Sequence, residues 1–521
     1  QVNRDKSIGT SQSRTGMGRL KENEFDVIII GGGATGAGTA RDCALRGLRV
    51  LLVERNDIAT GATGRNHGLL HSGARYAVTD TESAAECIRE NMILKRIAKG
   101  CVEKTEGLFI TLPEDDIAYQ ATFVEACRKA GIRAKVIDPK EAIAMEPAVN
   151  PSLIGAVVVP DGAIDPFKLT AANMTDAKIH GAKVLTYSEV EEIIKEGNNV
   201  RGVKIRNKRT GEVNTFYAPV TVNAGGVWGQ GIARMAGASV TMFPAKGSLL
   251  IFGHRVNNVV INRCRRPANA DILVPGETIS LIGTTSDRVG LEEVDSIRVT
   301  PEEVKVLLEE GQKLAPALAQ TRIIRAYCGV RPLVAADNDP SGRNISRGIV
   351  LLDHEQRDGI GGFITITGGK LMTYRLMAEW ATDLVCKKLG VRKGCVTARR
   401  PLPGSGPAEK PASPRSAKDE SLICECEKVS LRKAENAIDT MQVTNMIDLR
   451  RRTRLGMGTC QGELCACRGA GLLARKKENP TRAKEDLKAF INERWKGIYP
   501  ICWGDSLREN EYTQWIYGHE I

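Results

Sequence analysis

Residues 25–54 have the sequence FDVIIIGGGATGAGTARDCALRGLRVLLVE. The apolar run that ends at Ile30 predicts a buried strand, and the glycines after it predict a tight turn. A helix is expected from that turn to about Arg46, because Gly47 then stands where helices end. A second apolar run, Val50–Val53, predicts the next strand. The stretch therefore predicts a strand–helix–strand unit and a Rossmann-like α/β domain.

The glycine turn has the spacing of a dinucleotide-binding motif. Gly31 permits the tight turn, Gly33 lets the backbone approach a pyrophosphate, and Gly36 allows close packing of helix on strand. The pyrophosphate is expected at the helix N-terminus, where free N–H groups favour an anion. Glu54 follows Gly36 by 18 residues at a strand end, as an acceptor for a ribose hydroxyl requires.

Three further segments decide between NAD and FAD. Residues 57–76 are rich in small and hydroxyl side chains, residues 222–228 form a strand and a glycine turn, and residues 367–370 lead into a helix. Contacts so far apart in sequence suit an extended FAD better than NAD. A helix N-terminus with a lysine also stabilises negative charge on a reduced flavin ring. The predicted cofactor-binding residues are Gly31, Gly33, Ala34, Thr35, Gly36, Glu54, Arg55, Thr63, Arg65, His67, Gly68, Ala224, Gly225, Gly369, Lys370 and Leu371.

Length, composition and charge limit the number of domains, the cellular compartment and the kinds of partner that we expect. A chain of 521 residues with 42% hydrophobic and 26% charged residues is expected to form two or more globular domains. No apolar run has the length of a membrane span, and the polar leader lacks the apolar core of a secretory signal. Fourteen cysteines without such a signal indicate a reducing compartment. The net charge of +12 is diffuse, so we expect no nucleic-acid partner.

Local signals outline the domains. A hairpin around Pro275-Gly276 predicts an antiparallel sheet, and Thr300 with Glu303 forms a capping box that opens an amphipathic helix. Proline, serine and glycine mark a linker at residues 396–421. We expect a polar leader (1–24), an oxidoreductase body (25–395), the linker, a small helical cluster domain (422–470) and a C-terminal segment (471–521). Within the body, the FAD-binding domain is expected at about 25–104, 151–245 and 346–395, and the substrate domain at about 105–150 and 246–345.

Four cysteines near the C-terminus form the second chemical motif. Cys424 and Cys426 are separated by one residue, and Cys460 and Cys465 by four, with 33 residues between the pairs. Four thiolates hold a [2Fe–2S] cluster, whereas structural zinc sites favour pairs two residues apart. We therefore favour a [2Fe–2S] cluster over zinc or a metal-free domain. Cys467 is a fifth candidate that can replace Cys465.

Basic residues precede the last two cysteine ligands. Arg450, Arg451, Arg452 and Arg454 lie within five positions of one another. They either lower the cost of a negatively charged cluster or contact an acidic partner. A solvated helix face is the alternative.

Several motifs together resemble one family. They are GGGATGAG at 31–38, ATGRNHGLLHSGARY at 62–76, IGTTSD at 282–287, YCGVRPL at 327–333 and ITGGKLMTYRLMAEWATD at 366–383. Over about residues 25–395 the chain resembles the FAD-dependent glycerol-3-phosphate dehydrogenases, which are flavoproteins similar to glycine and amino-acid oxidases. Its cysteine segment resembles the bacterioferritin-associated ferredoxin type of domain. Both together resemble the anaerobic, quinone-linked, three-subunit branch of the family.

The resemblance implies the substrate and the residues that hold it. Oxidation of sn-glycerol 3-phosphate requires a cationic clamp for the phosphate, which arginine provides bidentately. His71 is the candidate base, with a structural histidine as the alternative; relatives often place a histidine after Lys-Gly-Ser, where this chain has Leu249. The predicted catalytic residues are Arg75, Arg331, Arg347, Lys370, His71 and Tyr76.

The resemblance also implies an assembly. It indicates partner subunits, an FMN on one of them, and delivery of electrons to a membrane quinone from a peripheral position on the cytoplasmic face of the inner membrane. Two other functions stay open at this point. One is an amine or amino-acid dehydrogenase of the same flavoprotein class, and the other is an electron-relay or iron-binding module without a substrate of its own.

Overall fold

The strand before the glycine turn lies inside a six-stranded sheet. The computed structural model describes residues 22–335, 345–346, 348–405 and 421–519; the leader to residue 21, most of the expected linker and Arg347 lie outside the described residues. Across the sheet the strands run Ile349–Asp353, Phe363–Gly368, Val220–Asn223, Val27–Ile30, Val50–Val53 and Lys183–Leu185. All neighbours are parallel except the first two. The predicted α/β class is confirmed.

Alternate residues of the central strands face two different layers. Ile29 and Leu52 belong to one apolar core, whereas Ile28 and Leu51 belong to another, because successive side chains of a strand point to opposite faces. The first face is covered by helices Ala34–Leu45, Pro166–Ile179 and Tyr374–Leu389. The second is covered by the antiparallel strands Ser188–Glu196, Asn199–Asn207 and Val213–Tyr217 and by helix Gly229–Ala236. Both faces of the sheet are therefore buried.

A second, ten-stranded sheet forms the other half of the N-terminal body, which we define as residues 22–405. In order its strands are Ile345–Ser346, Ile323–Ala335, Met242–Phe252, Ile279–Gly283, Ile272–Gly276, Val260–Arg263, Gly107–Thr111, Gly155–Val159 and Lys135–Ile137, with Asp287–Arg288 paired to Met242–Phe252. The pairs are antiparallel except Val260–Arg263 with Gly107–Thr111. The antiparallel sheet expected from the sequence is thus present, with one parallel pair inside it; its role in binding substrate stays a prediction.

Of two local predictions, the capping box at Thr300 and the hairpin turn at Pro275-Gly276, the structure confirms the first and corrects the second. The capping box is confirmed: Thr300 Oγ1 accepts from Glu303 N at 3.3 Å, and Glu303 Oε2 accepts from Thr300 N at 2.8 Å. The prediction of a hairpin turn at Pro275-Gly276 is wrong. Gly276 still belongs to the strand, where it pairs with Ile279. The turn lies at Glu277, whose φ of +53° makes the reversal.

The remaining elements of the body are five helices, six 3₁₀ turns and one short strand pair among the described residues. Its other helices are Thr81–Ile97, Ala118–Lys129, Pro139–Met145, Pro301–Leu314 and His354–Asp358. Single 3₁₀ turns span Ala62–Gly64, Ala74–Tyr76, Gly226–Trp228, Leu291–Glu293, Pro316–Gln320 and Leu371–Thr373, and Val102–Glu103 pairs with Ala163–Ile164. Helix Pro301–Leu314 packs its apolar side on the ten-stranded sheet.

The C-terminal domain, residues 422–519, is helical. It contains the small ladder Leu422–Cys424 with Val429–Ser430, the 3₁₀ turn Tyr499–Ile501, and the helices Leu431–Thr440, Met446–Thr453, Ala466–Lys477, Pro480–Ile498 and Gly504–His519. Its apolar core includes Cys424 and Cys465 together with Leu472, Leu487 and Phe490. The core therefore extends past residue 470, because the helix Pro480–Ile498 contributes Leu487 and Phe490 to it.

Within the part of the chain that the structure describes, no helix is both long enough and apolar enough to cross a membrane.

Candidate active site

A cavity of about 620 Å³ is lined by both large sheets of the N-terminal body. Gly31 and Glu54 line it from the carboxyl ends of two parallel strands, Arg331 from the ten-stranded sheet, and Lys370 from the turn before a helix. Ligands of open α/β sheets bind outside the carboxyl ends of the strands. The fold therefore brings the three separated cofactor segments and the substrate segments to one place.

The glycine turn leaves no room for side chains. Gly31 has a φ of +116°, and a Cβ there would lie 2.4 Å from the carbonyl oxygen of Ala224. A Cβ on Gly36 would lie 1.9 Å from the carbonyl oxygen of Gly31. The first glycine therefore permits the turn and the third permits close packing of helix on strand, as the motif predicts.

Glu54 is held in the cavity wall by backbone groups. Its Oε2 accepts from Gly32 N at 2.6 Å, and its Oε1 accepts from Asn56 N at 2.7 Å. Burial raises the pKa of Glu54, while these two N–H groups oppose the rise. Each carboxylate oxygen keeps a further lone pair, which a ribose hydroxyl can use.

The helix that follows the turn begins at the cavity. Gly33 at its N-cap provides no side-chain cap, so the N–H groups of the first turn depend on other partners. Thr63 Oγ1 accepts from Ala34 N at 3.0 Å and connects this end to the second cofactor segment. A pyrophosphate suits this helix end, because it would meet the remaining N–H groups and the positive end of the dipole.

Most predicted cofactor residues line this cavity. The lining set comprises Gly31, Gly33, Ala34, Thr35, Glu54, Arg55, Thr63, Arg65, His67, Ala224, Gly225, Gly369, Lys370 and Leu371. Gly36 and Gly68 do not line it. Gly36 packs against Gly31, and Gly68, with a φ of +67°, turns the chain between lining residues.

Lys370 brings a positive charge into the cavity. Its Nζ lies 4.8 Å from the centroid of the Tyr76 ring, so two of the predicted catalytic residues are in contact. Lys370 N donates to Thr373 Oγ1 at 2.9 Å and so opens the 3₁₀ turn before helix Tyr374–Leu389. An ammonium at this position favours negative charge on a ligand in the cavity.

Arg75 is anchored on one side only. Its Nη2 donates to the Ala268 carbonyl oxygen at 3.0 Å and pairs with Asp271 Oδ2 at 3.2 Å. Its Nη1 is buried and has no hydrogen-bond partner among the described residues. A buried guanidinium N–H without an acceptor requires an explanation. An anion in the cavity would provide one.

Arg331 approaches the cavity from the long strand Ile323–Ala335. Its Nη2 donates to the Thr285 carbonyl oxygen at 3.0 Å and to the Thr284 hydroxyl, and its Nη1 donates to the Lys246 carbonyl oxygen at 3.3 Å. These bonds orient the guanidinium from the backbone of the ten-stranded sheet. The structure therefore brings Arg75 and Arg331 to the same cavity from segments far apart in sequence.

Both histidines of the cavity wall are neutral; His71 is buried and His67 is partly buried. Burial lowers the pKa of His67 to about 3, with Arg331 adding to the effect. Burial, followed by Lys370, holds the pKa of His71 well below its usual range. His71 Nδ1 accepts from Gly73 N at 3.0 Å, so the proton of the neutral ring is on Nε2. His71 therefore offers the cavity a hydrogen-bond donor.

Two side chains of the cavity wall were not predicted from the sequence. Trp228 lies under the Arg55 guanidinium at 4.8 Å, and its Nε1 donates to Asp295 Oδ1 at 3.1 Å. Thr284 orients Arg331. Both lie within recognised segments, Trp228 in residues 222–228 and Thr284 in IGTTSD, but a motif does not say which of its side chains faces inward.

The thiols of the four predicted cysteine ligands, which we call the thiol group, influence one another's pKa values. The interaction with the Cys465 thiol lowers the pKa of Cys424 to about 6 and that of Cys460 to about 5. Cys426 interacts with Cys460, although burial raises its pKa. Thiolates are the form that binds metal. Among the described residues, no three acidic, histidine or cysteine side chains converge as the ligands of a single ion would.

Cys467 does not join this group. It is exposed, whereas Cys424 and Cys465 are buried, and its thiol interacts with Tyr517. The helix Ala466–Lys477 begins directly after Cys465 and carries Cys467 on its outer surface. The geometry favours Cys465 as the fourth ligand.

The arginines before the last ligands contact carboxylates of the N-terminal body. Arg452 pairs with Asp57 at 2.6 Å, and Arg454 pairs with Asp165 at 2.9 Å. Arg451 reaches Asp57 at 3.2 Å. The acidic partner that the sequence left open is therefore in the same chain, and the solvated-face alternative is wrong for these three residues.

Two family models match the chain. The model described as FAD dependent oxidoreductase matches residues 26–375, and the model described as BFD-like [2Fe-2S] binding domain matches residues 422–475. The glycine cradle at Gly31 and the thiol group fit these cofactors. The fold and the site define the class: an FAD-dependent oxidoreductase with a [2Fe–2S] domain. The prediction of the cluster over zinc is confirmed.

Relatives of known activity resemble the whole chain. The A component of the anaerobic glycerol-3-phosphate dehydrogenase of Escherichia coli (strain K12) is 64% identical over 519 residues, which cover 94% of this chain and 96% of that protein. The corresponding component from Haemophilus influenzae is 60% identical, covering 96% and 94%. The A1 component from Haloferax volcanii is 42% identical, covering 94% and 90%. All three are named as subunits of that enzyme.

Solved structures share the fold. A glycerol-3-phosphate dehydrogenase from Bacillus halodurans complexed with FAD superposes with a TM-score of 0.64 at 20% identity, covering 93% of this chain and 97% of that one. A glycine oxidase from Bacillus cereus gives 0.56 at 24% identity, covering 70% and 95%. From the relatives and the family models, the chain belongs to the family of anaerobic glycerol-3-phosphate dehydrogenase A components.

Proposed function

We propose that this protein oxidises sn-glycerol 3-phosphate to dihydroxyacetone phosphate, with FAD as the hydride acceptor and the [2Fe–2S] centre as the exit for electrons. The observation that carries the proposal is the buried, unpartnered Nη1 of Arg75 in the wall of the flavin cavity. Relatives named as glycerol-3-phosphate dehydrogenases at 64% and 60% identity support it.

The phosphate is assigned to Arg75 and Arg331. Both guanidinium groups line the cavity, and each is oriented by bonds to the ten-stranded sheet or its loops. A preset planar fork binds a phosphate without losing much side-chain freedom on binding. Arg347, which the family resemblance adds to the clamp, stays a prediction.

The hydroxyl end of the substrate is assigned to His71 and Lys370. The neutral His71 ring carries its proton on Nε2 and can donate a hydrogen bond from that nitrogen to the hydroxyl oxygen of the substrate. Lys370 places its ammonium beside Tyr76 in the same wall. In this tautomer His71 acts as a donor and not as the base expected from the sequence.

The cluster is assigned to Cys424, Cys426, Cys460 and Cys465. Their thiols interact with one another, while Cys467 is exposed outside the group. Four thiolates are the ligand set of a [2Fe–2S] cluster.

The assembly follows from the family. The relatives are each named as one subunit of an enzyme, which supports partner subunits for this chain. We propose that such subunits, one with FMN, receive the electrons and deliver them to a membrane quinone, and that the chain works peripherally at the cytoplasmic face of the inner membrane.

One anaerobic experiment tests the activity. Glycerol 3-phosphate is added to the purified holoprotein while flavin absorbance and the electron paramagnetic resonance signal of the reduced cluster are followed. Flavin bleaching followed by the cluster signal is expected. Amino acids and unphosphorylated glycerol serve as matched controls, because bleaching by an amino acid would favour an amine or amino-acid dehydrogenase. No bleaching by any of them would leave an electron-relay module.

A further inference from the structure

Arg494 is a buried arginine beside the cysteine loop. It lies on helix Pro480–Ile498 and is 4% exposed. Its Nη2 donates to Asn510 Oδ1 at 3.2 Å and lies 3.6 Å from Glu463 Oε2. Glu463 stands between Cys460 and Cys465, and its own N–H donates to the Cys460 carbonyl oxygen at 3.2 Å. The guanidinium is therefore packed against the loop that carries two cluster ligands.

Two of its nitrogens have no partner. Nε and Nη1 of Arg494 are buried without a hydrogen-bond acceptor among the described residues. Glu463 is 49% exposed, so solvent weakens its ability to neutralise the guanidinium. Buried donors without acceptors indicate a group that the polypeptide does not itself provide. Burial lowers the pKa of Arg494, while Glu463 and the Cys460 thiolate oppose that change.

We propose that Arg494 is a positioning residue for the [2Fe–2S] cluster: it holds a buried positive charge against the Cys460–Cys465 side and raises the reduction potential of the cluster. Four thiolates give the cluster a negative charge that increases when it accepts an electron. A nearby cation favours the more negative, reduced form, and hydrogen bonds to the sulfurs act in the same direction. A higher potential helps the cluster to accept electrons from the flavin.

Arg468 provides a matched control. It is also next to the ligands, since it pairs with Glu425 at 2.5 Å between Cys424 and Cys426, but its side chain is 47% exposed. Solvent screens an exposed charge far more than a buried one. Removal of either arginine deletes one positive charge near the cysteines. Arg468 is exposed and paired with Glu425, whereas Arg494 is buried with two unpartnered nitrogens.

The test is a redox titration of the holoprotein with a chemical reductant, followed by electron paramagnetic resonance. Arg494→Gln is expected to lower the midpoint potential, Arg494→Lys to lower it less, and Arg468→Gln to leave it close to wild type. A wild-type midpoint in Arg494→Gln with full iron content overturns the proposal, and so does an equal shift in Arg468→Gln. No substrate is used, so the outcome does not depend on glycerol 3-phosphate being the substrate.

A second variant decides the case if Arg494→Gln loses the cluster. Glu463→Gln changes an exposed side chain and removes the carboxylate that partly neutralises Arg494. Its midpoint potential is expected to rise above wild type. An unchanged or lower midpoint in that variant overturns the proposal.

Discussion

Arg452 of the C-terminal domain and Asp57 of the N-terminal body form a two-bond ion pair, with Nη2–Oδ1 at 2.6 Å and Nη1–Oδ2 at 3.0 Å. Their side chains are 3% and 1% exposed. Burial raises the pKa of Asp57, but Arg452 outweighs it and holds that pKa below its usual range. Asp57 follows Glu54 by three residues, so the cluster domain is attached directly beside the predicted ribose contact.

Loss of this pair is expected to uncouple the two domains. Asp57→Ala leaves Arg452 buried without its partner, which costs about 3–5 kcal/mol. Flavin bleaching by glycerol 3-phosphate should persist, whereas the cluster signal should appear at least about tenfold more slowly. A loss of only about 1.4 kcal/mol of docking energy between the two domains already lowers the population of the docked state relative to the undocked state tenfold. Stopped-flow absorbance and freeze-quench resonance measure the two steps. Arg475→Gln, which breaks a surface pair with Glu435, should change neither; an unaffected cluster signal in Asp57→Ala would contradict the coupling.

Replacement of Arg75 by lysine tests the phosphate clamp. Arg75→Lys keeps the charge but removes the spare planar N–H, and a hydrogen bond to a charged group contributes about 1.5–3 kcal/mol. We expect kcat/KM for glycerol 3-phosphate to fall about 10- to 100-fold, measured by flavin bleaching or an artificial acceptor. The control is Arg89→Lys, a change at an exposed arginine on the next helix. Equal kinetics in the two variants would exclude Arg75 from the clamp.

The pH profile tests the state of His71. Because the pKa of His71 lies well below its usual range through burial and then Lys370, the ring takes up no proton as the pH falls from about 8 to 6. The second ionisation of the substrate phosphate, with a pKa of about 6, falls within that range. We therefore expect any acid-side loss of kcat/KM to come from the phosphate and to be the same in wild type and in His71→Gln. His71→Gln, which keeps an N–H donor, should retain more activity than His71→Leu. An acid-side loss near the ordinary histidine pKa of about 6.5, absent from His71→Gln, would instead identify His71 as the base.

Serine substitutions test the choice between Cys465 and Cys467. Cys465 is buried in the thiol group and Cys467 is exposed, so Cys467→Ser is expected to keep full iron and sulfide content. Cys465→Ser should lose most of the cluster, because four thiolates are needed. Chemical iron analysis and the visible spectrum provide the measurement. Cluster loss in Cys467→Ser with retention in Cys465→Ser would reverse the assignment.

Local chemistry explains why much of the site was predictable. The turn at Gly31, the helix end at Gly47 and the capping box at Thr300 each depend on residues a few positions apart, and such patterns are visible in a sequence. The turn of the hairpin was missed by two residues because Pro275 and Gly276, usual turn formers, are held in the ladder by Ser280 and Ile279. Tertiary pairing there overrides local preference.

The contacts that join the two domains were beyond prediction. Arg452 and Asp57 are 395 positions apart, and no periodicity relates them. The arginine run before Cys460 left three readings open: a negatively charged cluster, an acidic partner or a solvated helix face. Which carboxylate it meets depends on how the helix Met446–Thr453 packs against the loop after Glu54.

Glycine spacing and ligand chemistry are local requirements, so the nucleotide turn, the order of the two domains and the four thiols could be read from the order of residues alone. Three other properties became visible only in the folded chain: Arg75 keeps a spare N–H, His71 presents a donor, and Arg494 is buried beside the cysteine loop. These properties depend on burial and on partners supplied by distant segments. Burial changes the energy of every charge, and it exists only once the chain has folded.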